Sequence, residues 1–263
     1  MFRGSMVALI TPFKNKGKDI DEKKLRELVG FHIKNKTSAI VPCGTTGESA
    51  TLTMEEHERV IDIVIDAARG KIPVIAGTGS NNTDEAIVLT RHAKKSGAAA
   101  VLIITPYYNK PTQEGIYRHF KVLSETVDIP ILVYNIASRT GVNITAETMA
   151  RLATIKNVIG VKEASGDLNQ MSDIKRLCPK DFLLISGDDS LTLPLLSIGC
   201  LGVISVVANI IPKDTADMVE AFLKGDTKKA QTLHYKTLPL VKAMFIETNP
   251  IPVKTAMGIM GMC

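Results

Sequence analysis

Eight short apolar runs, each followed by a stretch of helical period, predict an α/β fold whose parallel strands close into a (β/α)8 barrel. Parallel neighbours need crossovers, which the intervening helices supply. Eight such units in 263 residues fit a closed barrel better than an open doubly wound sheet. The expected strands are 5–10, 38–42, 73–76, 99–105, 129–135, 158–162, 182–186 and 202–206. They are nearly continuous in apolar character, as strands buried on both faces are.

The helices follow from their start and stop signals. After the first strand, Asp21 is a candidate N-cap for a helix whose Leu25, Leu28, Val29, His32 and Ile33 share one face. Thr53-Met54-Glu55-Glu56 reads as a capping box, with Gly70 to close the helix. Asn82-x-x-Glu85 opens the next, ended by Gly97. Beyond the eighth strand, segments 213–224, 227–245 and 252–260 are helical, more than closure of a barrel requires. Residues 1–224 are therefore expected to form the barrel and 225–263 extra C-terminal helices.

Composition excludes several classes. With 45% hydrophobic and 22% charged residues the chain is globular, and no apolar run approaches the ~18 residues of a membrane helix. The apolar stretch 6–10 is stopped by Pro12, too short for a signal peptide. The net charge of +5 invites a nucleic-acid reading, but the densest basic cluster (Lys14, Lys16, Lys18) has no aromatics among it and Trp is absent. A mild attraction for anionic substrates fits better. Cys43, Cys178, Cys200 and Cys263 make no CxxC pair, which fits a reduced, cytoplasmic protein. Gly77-Thr78-Gly79 has Asn82 where a dinucleotide fingerprint wants its third glycine, and the five histidines lack metal-ligand spacing. No metal and no cofactor is expected. Cys43 reads as a small buried apolar residue.

In such a barrel the site lies at the C-terminal ends of the strands. Polar residues there are Thr11, Gly44–Glu48, Tyr107-Tyr108-Asn109, Tyr134-Asn135, Ser138–Gly141, Lys162-Glu163 and Gly187–Asp189. Lys162 is the most informative, because it interrupts an apolar strand at the parity of Val158 and Gly160, and Gly160 leaves room beside it. Two readings fit the strand alone. Lys162 pairs with a carboxylate such as Glu163 or Asp188, or it is a desolvated amine suited to forming a Schiff base with a carbonyl. Tyr134 and Thr45 can shuttle the protons that the second reading needs. The backbone N–H groups of the Gly-Thr-Thr-Gly turn can hold a carboxylate, and Arg139 a second one.

Eight motifs in order then carry a resemblance over nearly the whole length: Gly44-Thr45-Thr46-Gly47-Glu48-Ser49, Ile75-Ala76-Gly77-Thr78-Gly79, Thr105-Pro106-Tyr107-Tyr108-Asn109, Tyr134-Asn135, Ser138-Arg139-Thr140-Gly141, Gly160-Val161-Lys162-Glu163-Ala164, Ser186-Gly187-Asp188-Asp189 and Asn249-Pro250-Ile251-Pro252-Val253-Lys254. The chain resembles the dihydrodipicolinate synthase family, TIM-barrel class I aldolases of the pyruvate-dependent N-acetylneuraminate lyase superfamily. The resemblance implies a lyase that condenses pyruvate with L-aspartate 4-semialdehyde to 4-hydroxy-tetrahydrodipicolinate, in lysine and diaminopimelate biosynthesis. It assigns Lys162 the Schiff base, and gives Tyr134, Thr45 and Tyr108 the proton relay, with Tyr108 supplied by a neighbouring subunit. Thr46 is implied to hold the pyruvate carboxylate, Gly187 and Ile204 to line the pocket, and Arg139 to take the carboxylate of the semialdehyde. The alternatives are a sugar-acid aldolase of the same superfamily, against which the Ser-Arg-Thr-Gly loop speaks, and a non-catalytic ligand-binding barrel.

A homodimer at least, and a homotetramer in the full-length form, is expected from the Tyr107–Tyr108 loop and from the apolar Leu191, Leu193, Leu195, Leu196 and Ile198. Ser49, Ala50, His57, Asn81, Glu85 and Tyr107 match a lysine-effector site, whereas Met54 stands where sensitive enzymes place a histidine. Weak or absent inhibition by lysine is expected. Family members continue into a further C-terminal helix, so some apolar surface on the appended helices is expected to be uncovered.

Overall fold

The computed structural model describes residues 2–263. Its strands are β1 (Gly4–Ala8), β2 (Ala39–Val41), β3 (Ile75–Gly77), β4 (Ala100–Ile104), β5 (Ile131–Asn135), β6 (Val158–Glu163), β7 (Leu183–Ser186) and β8 (Gly202–Ser205), each where the apolar runs lie. All pair in parallel in the order β2-β1-β8-β7-β6-β5-β4-β3, and an Ile40–Val74 bridge joins β2 to the approach of β3, closing the barrel. Alternate side chains divide between two cores. Met6, Val41, Leu102, Leu132, Ile185 and Ile204 fill the barrel. Val7, Ile40, Val101, Val133, Val161 and Leu184 face the helices around it.

One strand departs from simple alternation. Along β6 the register with β5 passes from Ile131–Val158 to Leu132–Gly160, leaving Ile159 as an extra, bulged residue. Val158 consequently packs in the outer layer, while the bulged Ile159 packs against the interior cluster below Gly160 and Lys162. The space at Gly160 does not serve the lysine. A Cβ there would stand 2.5 Å from the Cβ of Leu183 across the β6–β7 pair, so the glycine lets β7 approach.

The helices are α1 (Glu22–Lys34), α2 (Met54–Ala68), α3 (Thr83–Ser96), α4 (Gln113–Thr126), α5 (Ala137–Thr140), α6 (Ala146–Leu152), α7 (Leu168–Leu177), α8 (Thr192–Ser197), α9 (Pro212–Leu223), α10 (Thr227–Ala243) and α11 (Ile251–Ile259). Asp21 caps α1, and both bonds of the Thr53/Glu56 capping box open α2. Asn82 caps α3 alone, because Glu85 turns instead to the Ser80 hydroxyl, 2.8 Å away. Leu195 and Leu196 of α8 are buried, Leu196 in a cluster with Val203, Met218 and Val219 of the same chain; Leu191, Leu193 and Ile198 remain half-buried. α9 completes the eighth unit and α10 packs on it. Ile246, Ile251 and Ile259 are exposed on and beside the last helix. No helix among the described residues is long and apolar enough to cross a membrane.

Candidate active site

Tyr134 and Lys162 are direct partners in the β5–β6 register, and both point into the barrel at its C-terminal end. Lys162 is 6% exposed, and its Nζ stands 4.1 Å from the centroid of the Tyr134 ring. The carboxylates that the strand alone offered as partners are engaged elsewhere. Glu163 projects from the opposite face of β6 onto Asn135, and Asp188 accepts from the backbone and hydroxyl of Ser190 at 2.8 and 2.7 Å. Gly187 lies against the lysine, since a Cβ there would come within 3.1 Å of Lys162 Cε. Ile204 is buried in the same interior cluster as Tyr134.

The Gly44–Gly47 turn faces this pair. It closes with Glu48 N–H on Thr45 O and Ser49 N–H on Gly44 O, bonds that use neither the Thr45 nor the Thr46 N–H. Thr11 Oγ1 donates to Gly47 O at 2.7 Å and anchors the turn to the end of β1. Thr45 is half-buried at the cavity wall, whereas Thr46 is buried, its Oγ1 accepting from Asn249 Nδ2 at 3.0 Å. Burial pushes the Cys43 thiol well above its usual range, as suits an inert core residue.

Tyr134 and the Gly44-Thr45 half of the turn border a cavity of about 360 Å3, lined also by Tyr107, Arg139, Asn249 and Pro250, whereas Lys162, Thr46, Gly187 and Ile204 are not among its lining residues. Arg139, on α5, is exposed at the mouth and donates from Nη2 to Asn249 O at 3.0 Å. Asn249 thus touches both Thr46 and Arg139. The 249–254 motif gives it no role from sequence alone, and the Asn-Pro dipeptide in a polar break between helices is the signal that points to it. Lys254 was missed in the same way: from α11 its Nζ reaches Thr11 O at 2.9 Å and Glu48 Oε1 at 2.5 Å, above the Phe13 ring. The appended helices therefore supply part of the site.

Tyr107 lines the cavity, but Tyr108, whose backbone is in the left-handed region, is 89% exposed and is not among the lining residues. Ser49 and Ala50 line the same cavity as Tyr107, and Asn81 Nδ2 donates to Tyr107 O at 3.1 Å. Met54 is the half-buried first residue of α2. His57 is buried, with Nε2 2.7 Å from Gly77 O, and burial holds its pKa below the ordinary value. It braces α2 against β3. Among the described residues no three His, Cys, Asp or Glu side chains are placed to hold a metal ion.

Comparison with known proteins finds relatives along the whole chain. The family described as "Dihydrodipicolinate synthetase family" matches residues 1–263. The 4-hydroxy-tetrahydrodipicolinate synthase of Syntrophus aciditrophicus (strain SB) is 60% identical over 261 residues, 99% of this chain and 89% of the relative. The crystal structure of dihydrodipicolinate synthase from Aquifex aeolicus superposes with a TM-score of 0.98 at 51% identity, covering 100% of this chain and 89% of that one. The enzyme of Cyanidioschyzon merolae, solved with lysine bound, gives 0.97 at 43% identity, covering 99% and 89%. With a buried lysine set against a tyrosine at the barrel mouth, and a match that leaves no part of the fold aside, the chain belongs to the dihydrodipicolinate synthetase family.

Proposed function

We propose that the chain condenses pyruvate with L-aspartate 4-semialdehyde to 4-hydroxy-tetrahydrodipicolinate through a Schiff base on Lys162. The observation that carries this is the buried amine of Lys162, beside the Tyr134 ring and free of the nearby carboxylates. Its Nζ attacks C2 of pyruvate, and loss of water from the carbinolamine leaves an iminium. Removal of a C3 proton gives the enamine, whose C3 bonds to the aldehyde carbon while the aldehyde oxygen takes a proton. The amino group of the joined substrate then displaces Lys162 from C2 and closes the ring. Thr45, Tyr134 and a Tyr108 from a second subunit carry the protons. Thr46 and the turn N–H groups hold the pyruvate carboxylate beside Gly187 and Ile204, and Arg139 takes the carboxylate of the semialdehyde. Because the iminium formed on the lysine is the electron sink, these steps need no metal or organic cofactor.

Residues 1–224 form the catalytic barrel in this reading and 225–263 the appended helices, of which 249–254 belong to the site. The exposure of Tyr108 supports at least a homodimer, and the half-buried face of α8 a dimer of dimers. Four free cysteines support a cytoplasmic location. Ser49, Ala50, Met54, His57, Asn81, Glu85 and Tyr107 are the effector residues in this reading. Lysine binds weakly because a thioether at Met54 offers no donor, and Met54→His restores part of the inhibition.

Incubation with pyruvate and borohydride tests the central step. One reduced pyruvyl group is expected on Lys162; modification of another residue, or none in active protein, overturns the mechanism.

A further inference from the structure

The strand pair that carries Tyr134 and Lys162 on its inner face carries a second matched pair on its outer face. Asn135 and Glu163 are the next residues in the same register, and both are fully buried between the barrel and the helices. Asn135 Nδ2 donates to Glu163 Oε1 and Oε2 at 3.2 and 3.0 Å, and to Asn143 Oδ1 at 2.8 Å. Asn135 Oδ1 accepts from Ile144 N–H at 3.0 Å, and Glu163 Oε1 from Ser165 N–H at 2.7 Å. Gln170 on α7 closes the cluster, accepting from Asn143 Nδ2 at 2.6 Å. The groups around the Glu163 carboxyl are neutral, and burial raises its pKa.

Such a cluster is an expensive tenant of an otherwise apolar layer. Apolar residues of similar volume would fill the space without desolvating a carboxyl and three amides. What it provides is geometric. Glu163 fixes the Ser165 N–H immediately beyond β6, and its own carbonyl accepts from Gly187 N–H at 2.8 Å, the glycine that packs on Lys162. Asn135 fixes the end of β5 beyond Tyr134, and Ala164 N–H donates to its carbonyl at 2.9 Å. Both strands are thus locked one residue past the reacting side chains.

We propose that Glu163 is a positioning residue for the Lys162–Tyr134 pair, acting with Asn135 through the two strand ends. This rests on the Schiff-base reading and deepens it. A shift of the amine against the phenol slows proton transfer within the bound intermediate more than it weakens pyruvate binding, because misplacement of reacting groups acts on the rate.

Glu163→Gln keeps the shape but leaves one acceptor oxygen for Asn135 and Ser165 to share. Its kcat is expected to fall about ten- to a hundredfold, up to the cost of misplacing reacting groups by roughly 1 Å, with the KM for pyruvate changed less than about threefold. Exchange of the pyruvate C3 protons with deuterated water, read by NMR, should slow in parallel. Sites are counted by borohydride trapping, so loss of folded protein is not mistaken for loss of rate. Gln170→Leu, one step further out, is expected to show the same effects at two- to fivefold, and serves if the first variant does not fold. Wild-type kcat and exchange per trapped site in a folded variant overturn the proposal. Failure of trapping in the unmodified protein would instead overturn the Schiff-base mechanism.

Discussion

Arg139 holds its place by a single bond to the carbonyl of Asn249 and otherwise faces the mouth of the cavity, so its guanidinium has donors left for a substrate carboxylate. Arg139→Ala is expected to lower kcat/KM for the semialdehyde by about 2–4 kcal/mol, the scale of a broken charge-assisted pair. Pyruvate trapping on Lys162 should survive, and steady-state kinetics with both substrates will separate the two. Far from the cavity, His32 and His119 are buried with one ring nitrogen each on a threonine hydroxyl and the other without a partner. Burial holds both near about 4, against an ordinary 6.5. The unfolded chain therefore takes up protons between those values that the folded chain refuses. Stability from the neutral imidazoles is full above about 6.5 and is lost as pH falls toward about 4, on the order of 3 kcal/mol each. Glu163 and Asp189, raised by burial, act in the opposite sense. Comparing His119→Gln with the unmodified protein isolates one histidine: its Tm should fall less steeply between pH 7 and 4, and an equal slope would acquit His119.

At the level of elements, α11 is pinned to the site by Lys254, whose ammonium meets Thr11 O, Glu48 and the face of Phe13. The pair is about a quarter exposed on each side, between a surface bridge and a buried one. Lys254→Ala should therefore cost about 1–3 kcal/mol of stability and raise the KM for the semialdehyde, since Asn249 and Pro250 precede this helix. Thermal melts and initial rates measure both. The strands were legible because each is apolar on both faces, and Lys162 because it is the one charge on the inner face of such a strand. The bulge at Ile159 was not, because a one-residue slip between neighbouring strands is decided by how they pack. That is why Val158 was placed on the lysine's face and Gly160 was read as room for the amine, when it is room for Leu183. Asn249 and Lys254 were equally hidden, each meeting its partners from more than 100 positions away, beyond the reach of any local pattern.

For the molecule as a whole, the proposed relay takes Tyr108 from a second subunit, and in its own chain this tyrosine is exposed. Two inactive variants test whether a neighbour supplies it. Lys162→Ala and Tyr108→Phe, mixed and allowed to exchange subunits, should recover about a quarter of the full activity. Half of randomly formed dimers are mixed, and each mixed dimer holds one intact site of two. No recovery, with exchange verified by light scattering and native mass spectrometry, would place the relay within a single chain.

The residue that joins Thr46 to Arg139 also limits how the pocket can change. With pyruvate at Thr46 and the semialdehyde at Arg139, as proposed, Asn249 grips the donor end with its side chain and the acceptor end with its carbonyl. Acceptor preference is therefore not a module that can be exchanged by itself. Replacing Arg139 frees the Asn249 carbonyl, and the hydroxyl of Thr46 is held by the same residue, so a change at the acceptor end loosens the donor end slightly even where pyruvate still binds. A lineage, or an engineer, moving toward a different aldehyde has first to find Asn249 another anchor, and the order in which substitutions arrive decides which new specificities can be reached.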